Sequence, residues 1–152
     1  MAGLLGPALR TVVARCCEIK AEIVGQDETE SGRRAILNFG HTLGHAIENS
    51  SGYGKFLHGE AIAIGQVAAA KLSHKILGLP SDEAARIEKL FSQAGLPVKI
   101  KLGAAQRKKL FAAMKLDKKV SGGEITFVLA KKIGKVVWNQ KVPTDLIKSV
   151  LA

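Results

Sequence analysis

Aromatic residues make up only 5% of this 152-residue chain, so any core it builds must be largely aliphatic. Cysteine is scarcer still. Cys16 and Cys17 are adjacent and have no other partner, and neighbouring thiols rarely pair because the ring they would close is strained. A disulfide scaffold is therefore excluded, and reduced thiols in the core of an intracellular protein are expected. No uninterrupted apolar run approaches the roughly 18 residues of a membrane span. The opening MAGLLGPALRTVVARCC is broken by Pro7 and Arg10 and has no basic leading region, so it does not read as a signal peptide. These absences predict a soluble, cytoplasmic protein with no membrane partner. A nucleotide-binding signature is missing too. There is no P-loop, and Gly40, Gly44, Gly52 and Gly54 lie within or after a helical pattern rather than between a strand and a helix.

Acidic residues are few in the last third. Residues 1–98 carry ten basic and ten acidic side chains, whereas residues 99–152 carry thirteen and three, so the whole net charge of +10 sits there. Such a surface can attract a small anionic substrate, remain solvated, or bind nucleic acid. Aromatics do not interleave with these lysines, which disfavours a basic nucleic-acid module over residues 99–148. Hydrophobic content of 47% and charged content of 24% are globular values, and the length suits one domain over residues 1–152.

Hydrophobic spacing predicts a helix over residues 7–25, with Pro7 in its first turn and Val12, Val13, Cys16, Ile19 and Ile23 on a buried face. Lys20 projects from it as a solvated side chain. The acidic stretch GQDETESG reads as a loop, with Ser31 placed to cap a helix over about residues 33–49. On that helix Arg34, Asn38, His41, His45 and Glu48 repeat as one polar stripe, which is poor core material and suits a wet cleft. His58 begins a third helix reaching Leu77, whose AIAIGQVAAAKL run is apolar nearly all round and marks the most buried element. Further helices are expected over Ser81–Gln93, Ala104–Met114 and Thr144–Leu151, with Leu110 and Phe111 turned inward. ITFVLA and KVVW predict a small hairpin around Lys131–Gly134.

Histidines four apart on one helix face can share a metal ion, and a third at a nearby helix start can join them. Two or three of His41, His45 and His58 are therefore candidate ligands. The acid of a HExxH protease is absent, because Thr42 follows His41. His74 stands outside this group and reads as an ordinary helix residue.

The stretches KAEIVGQDETESGRRAILNFGHTLGHAIE, YGKFLHGEAIAIG and LDKKVSGGEITFVLAKKIGK resemble the C-terminal domain of 3-dehydroquinate synthase, within the sugar-phosphate cyclase superfamily. The resemblance covers about residues 12–150. It implies a mainly α, multi-helix domain with a small β-hairpin near the C-terminus. It implies a lyase of the shikimate pathway of aromatic amino acid biosynthesis, converting 3-deoxy-arabino-heptulosonate 7-phosphate to 3-dehydroquinate and phosphate. It makes His41 and His58 ligands of a zinc or cobalt ion that also place them against substrate, and it casts His45 as a proton-transfer group with Glu30 as a second acid/base residue. Lys20, Arg34, Asn38 and Lys118 or Lys119 would hold the anionic sugar-phosphate. The family's NAD-binding, Rossmann-like N-terminal domain has no counterpart in this chain, nor does its glutamate zinc ligand, which would precede Met1. Without that half, the chain alone is expected to be inactive; the complete enzyme is expected to be a homodimer. Gln66 stands where the family pattern leads one to expect methionine. The alternatives are a related sugar-phosphate cyclase domain and a non-catalytic fragment that retains the fold; Asn38 and His45 favour the dehydroquinate enzyme.

Overall fold

The computed structural model describes residues 6–29, 32–52, 55–116, 120–121 and 124–151. Glu30, Ser31, Lys118 and Lys119 lie outside the described residues. The chain divides into two compact units, residues 1–37 and 38–152.

The first unit is built on helix α1, Gly6–Gln26. Its apolar spacing is as expected, but its burial is not. Ile23 is buried, whereas Val12 and Val13 are 57% and 53% exposed, and both cysteines are exposed. The expected buried face and core thiols are thus corrected. Spacing decides which residues share a face, while burial needs something to cover it, and the other described residues of this unit, 27–29 and 32–37, form only a loop and a turn. Asp27 closes that loop: its Oδ2 accepts the backbone N–H groups of Gly32 (2.9 Å) and Arg34 (2.8 Å). This satisfies the start of a 3₁₀ turn, Arg33–Asn38.

The expected single helix over residues 33–49 is two elements. After the 3₁₀ turn the chain passes through Gly40 at φ 81° and only then starts α2, His41–Ser51. A 3₁₀ turn advances three residues per turn and a left-handed glycine resets the helical phase. Arg34 and Asn38 therefore belong to a different element from His41, His45 and Glu48, and no single helix carries the expected stripe.

Helix α3, His58–Leu77, is the buried centre of the second unit, as its composition predicts. The Leu57 N–H donates to Glu60 Oε2 at 2.8 Å, which secures the helix start, and Gly78 at φ 72° ends it. Helices α4 (Ser81–Gln93), α5 (Ala104–Leu116) and α6 (Thr144–Val150) follow in the expected places. The hairpin is present as β2, Glu124–Lys132, and β3, Lys135–Val142, joined through Ile133-Gly134. A short strand β1, Val120–Ser121, adds a third, antiparallel partner to β2. The register runs Ile125↔Val142, Phe127↔Gln140 and Leu129↔Val137, so β3 carries an extra residue near Trp138–Asn139, where Asn139 takes φ 56°.

Leu43, Ile47, Leu72, Leu110, Met114, Phe127, Leu129 and Ile147 form the largely aliphatic core between these helices and the sheet. Two hydroxyls fasten it. Thr42 Oγ1 donates to the Thr126 carbonyl at 3.1 Å, tying α2 to β2. Buried Ser73 donates to the Ala69 carbonyl and accepts the Ala130 N–H at 2.8 Å, tying α3 to β2. Among the described residues no helix is long and apolar enough to cross a membrane.

Candidate metal centre

Glycine sets the approach of α2 to α3. A Cβ on Gly65 would collide with the Gly40 carbonyl oxygen, and one on Gly44 would lie 2.6 Å from Ile62 Cδ1. With no side chain between the backbones, the start of α2 comes to lie beside the start of α3. His41 is the first residue of α2, His45 stands one turn on, and His58 is the first residue of α3.

Their rings converge. Centroids are 5.3 Å apart for His41 and His45, and 5.9 Å for His58 with either. One ring nitrogen from each lies within 4.8 Å of the others, and among the described residues this is the cluster able to hold a metal ion. His41 and His45 are half-buried and His58 is exposed, so the cluster opens to solvent on one side.

The three imidazoles are held differently. His41 Nδ1 is 3.3 Å from the Phe39 carbonyl oxygen, and His58 Nδ1 is 3.1 Å from Glu48 Oε2. Both acceptors are oxygens, so in each contact Nδ1 is the donor, and Nε2 is the nitrogen through which either ring could ligate. His45 makes ring contacts with both, and its nitrogens have no hydrogen-bond partner among the described residues. Two oriented imidazoles and a third close by form a donor set that fits a borderline divalent ion such as zinc or cobalt.

Beside the cluster, between α2 and α5, lies an open groove of about 640 Å³ lined by Thr42, His45, Glu48, Asn49 and Lys109, among others. Lys109 was not foreseen as a site residue. It is one of three consecutive cations, Arg107-Lys108-Lys109, and nothing in the spacing distinguishes it from its neighbours. Asn38 is half-buried and closes the 3₁₀ turn three residues before His41. In the first unit Lys20 is exposed, and Arg34 Nη1 donates to the Glu28 carbonyl at 2.7 Å. His74 lies apart from the cluster and donates from Nδ1 to the Leu79 carbonyl at 2.7 Å.

The family model described as 3-dehydroquinate synthase C-terminal matches residues 2–120. The 3-dehydroquinate synthase of Nitrosomonas europaea is 50% identical over 145 residues, which are 95% of this chain and 39% of that protein. The enzyme of the same name from Psychrobacter arcticus is 49% identical over 144 residues, 95% of this chain and 37% of that one. The chain thus spans about two fifths of the length of these curated relatives. Among solved structures, 2-deoxy-scyllo-inosose synthase complexed with carbaglucose-6-phosphate, NAD+ and Co2+ superposes with a TM-score of 0.80 at 26% identity, over 95% of this chain and 41% of that one. The 2-epi-5-epi-valiolone synthase of Streptomyces hygroscopicus, with NAD+ and Zn2+ bound, gives 0.79 at 26% identity, over 97% and 40%.

Proposed function

The chain belongs to the family of 3-dehydroquinate synthase C-terminal domains, and from that premise we propose that it is the metal- and substrate-binding half of a 3-dehydroquinate synthase. The reading rests most on the three converging imidazoles at the starts of α2 and α3. His41 and His58, with Nδ1 tied back, hold the divalent ion through Nε2. A zinc or cobalt ion bound there supplies Lewis acidity toward substrate oxygens. His45, without a competing hydrogen bond among the described residues, is the group able to take and return a proton at its ring nitrogen. Glu30 serves as a further acid/base residue. Lys20, Arg34, Asn38 and Lys118 or Lys119 supply donors and positive charge for a sugar-phosphate carboxylate substrate, 3-deoxy-arabino-heptulosonate 7-phosphate.

NAD comes with a Rossmann-like N-terminal half not contained in this chain, since the described fold has no nucleotide-binding βαβ unit. The complete enzyme would work as a cytoplasmic homodimer in the shikimate pathway of aromatic amino acid biosynthesis. The solved relatives at 26% identity are cyclases named for other products, whereas the relatives near 50% are named for this one. The higher identity favours the dehydroquinate reaction.

Phosphate release from the seven-carbon substrate tests the proposal, with NAD and zinc present, on this chain alone and mixed with a separately made nucleotide-binding half. Turnover in the mixture, abolished by His45→Ala, is expected. Silence from a mixture in which the halves demonstrably bind would leave a fold without activity. Turnover confined to another sugar phosphate would indicate a related cyclase.

A further inference from the structure

The contact between His58 and Glu48 has no obvious structural purpose. Both side chains are substantially exposed, 58% and 39%, and exposed ion pairs contribute little to stability. Yet the contact joins two elements. Glu48 lies late in α2, three residues after His45 on the same face, and its carboxylate reaches the first residue of α3 at 3.1 Å. A carboxylate only accepts, so the bond requires a proton on Nδ1 and leaves Nε2 as the nitrogen through which His58 could ligate.

The neighbouring imidazoles sharpen the comparison. His41 has its Nδ1 set by a local backbone carbonyl, that of Phe39. His58, exposed at a helix start, is oriented by a side chain brought from another helix instead. His45 has neither device among the described residues. Imidazoles that ligate metal generally pass their other N–H to a carboxylate or carbonyl, which fixes the tautomer and raises ligand basicity.

We propose that Glu48 is a positioning residue for the metal centre, acting through His58 by fixing its tautomer and ring orientation. The inference rests on the reading of His41 and His58 as ligands. It requires no direct contact between Glu48 and the ion.

Zinc affinity of this chain, measured by competition with a chromophoric chelator, tests it, with circular dichroism and melting of the metal-free variants as the control for folding. Glu48→Ala is expected to weaken zinc binding by about 10–100-fold. Glu48→Gln, whose Oε1 still accepts from Nδ1, is expected to recover part of that loss. In a His58→Ala background Glu48→Ala should have no further effect, because the two residues act as one unit. Nitrogen-15 spectra of the zinc-bound chain should show His58 protonated at Nδ1 and ligated at Nε2. Unchanged affinity in Glu48→Ala while His58→Ala binds weakly would overturn the positioning role and leave the metal centre standing. A further loss on adding Glu48→Ala to His58→Ala would overturn it as well, since Glu48 would then act on the ion directly. Unchanged affinity in both His41→Ala and His58→Ala would remove the metal centre itself.

Discussion

Gly65 of α3 lies against the carbonyl oxygen of Gly40, leaving no space in which a Cβ could sit. Both helix starts that carry the candidate ligands are registered by this backbone contact, since His41 follows Gly40 directly.

Gly65→Ala is therefore expected to destabilise the chain toward the upper end of the ~1–3 kcal/mol cost of overpacking, because the atom it meets is backbone and cannot swing away. Urea unfolding measures the loss. Zinc affinity should fall with it, whereas Gly59→Ala, where a Cβ meets nothing within 4 Å, should leave the packing untouched.

The proposed division of the three imidazoles into two ligands and one acid/base group makes a prediction. His41→Ala and His58→Ala should each lower zinc affinity more than His45→Ala does. In the assembled enzyme the order should reverse for chemistry at saturating metal, with His45→Ala reducing kcat by about 10²–10⁴-fold as loss of a general acid/base group does. Equal zinc losses at all three positions would make His45 a ligand.

Ser73 is fully buried and bridges α3 to the Ala130 amide of β2. Ser73→Ala strands that N–H in the core and should cost about 1–3 kcal/mol. Thermal or urea unfolding of the pure variant checks this, and slowed hydrogen exchange at Ala130 in the parent should be lost.

Val12→Ser and Val13→Ser should each change stability by less than about 0.5 kcal/mol, because both side chains are more than half exposed. A loss near 2 kcal/mol in the isolated chain would show that α1 packs its apolar face after all.

Much of this architecture could be read before any coordinates. The small, charge-poor run AIAIGQVAAAKL announced a buried helix, and the β-branched and aromatic ITFVLA and KVVW announced the hairpin, because both signals are local. The two-residue strand β1 is too short for alternation to register. The split of the expected helix at Gly40 escaped because an isolated glycine in a helical pattern is usually tolerated. What forbids it here is the tertiary contact with Gly65 and Gln66. The α1 face was misjudged for the complementary reason: periodicity identifies a stripe without saying what covers it. Within the site, His41, His45 and His58 were legible from spacing and helix starts. Their distinct hydrogen bonds were not, since Glu48 and His58 stand ten residues apart on different helices.

The glycine contact between α2 and α3 also bears on how selective the centre can be. Side chains between helices yield by rotating, but two backbones in direct contact do not, so the gap between the two helix starts behaves as a fixed calliper rather than a spring. If His41 and His58 are the ligands, as proposed, an ion between them would have to match that gap through the reach of the imidazoles alone. Discrimination by ionic radius would then be a property of the main chain, open to change by a single added methyl group and largely indifferent to what decorates the surface around it.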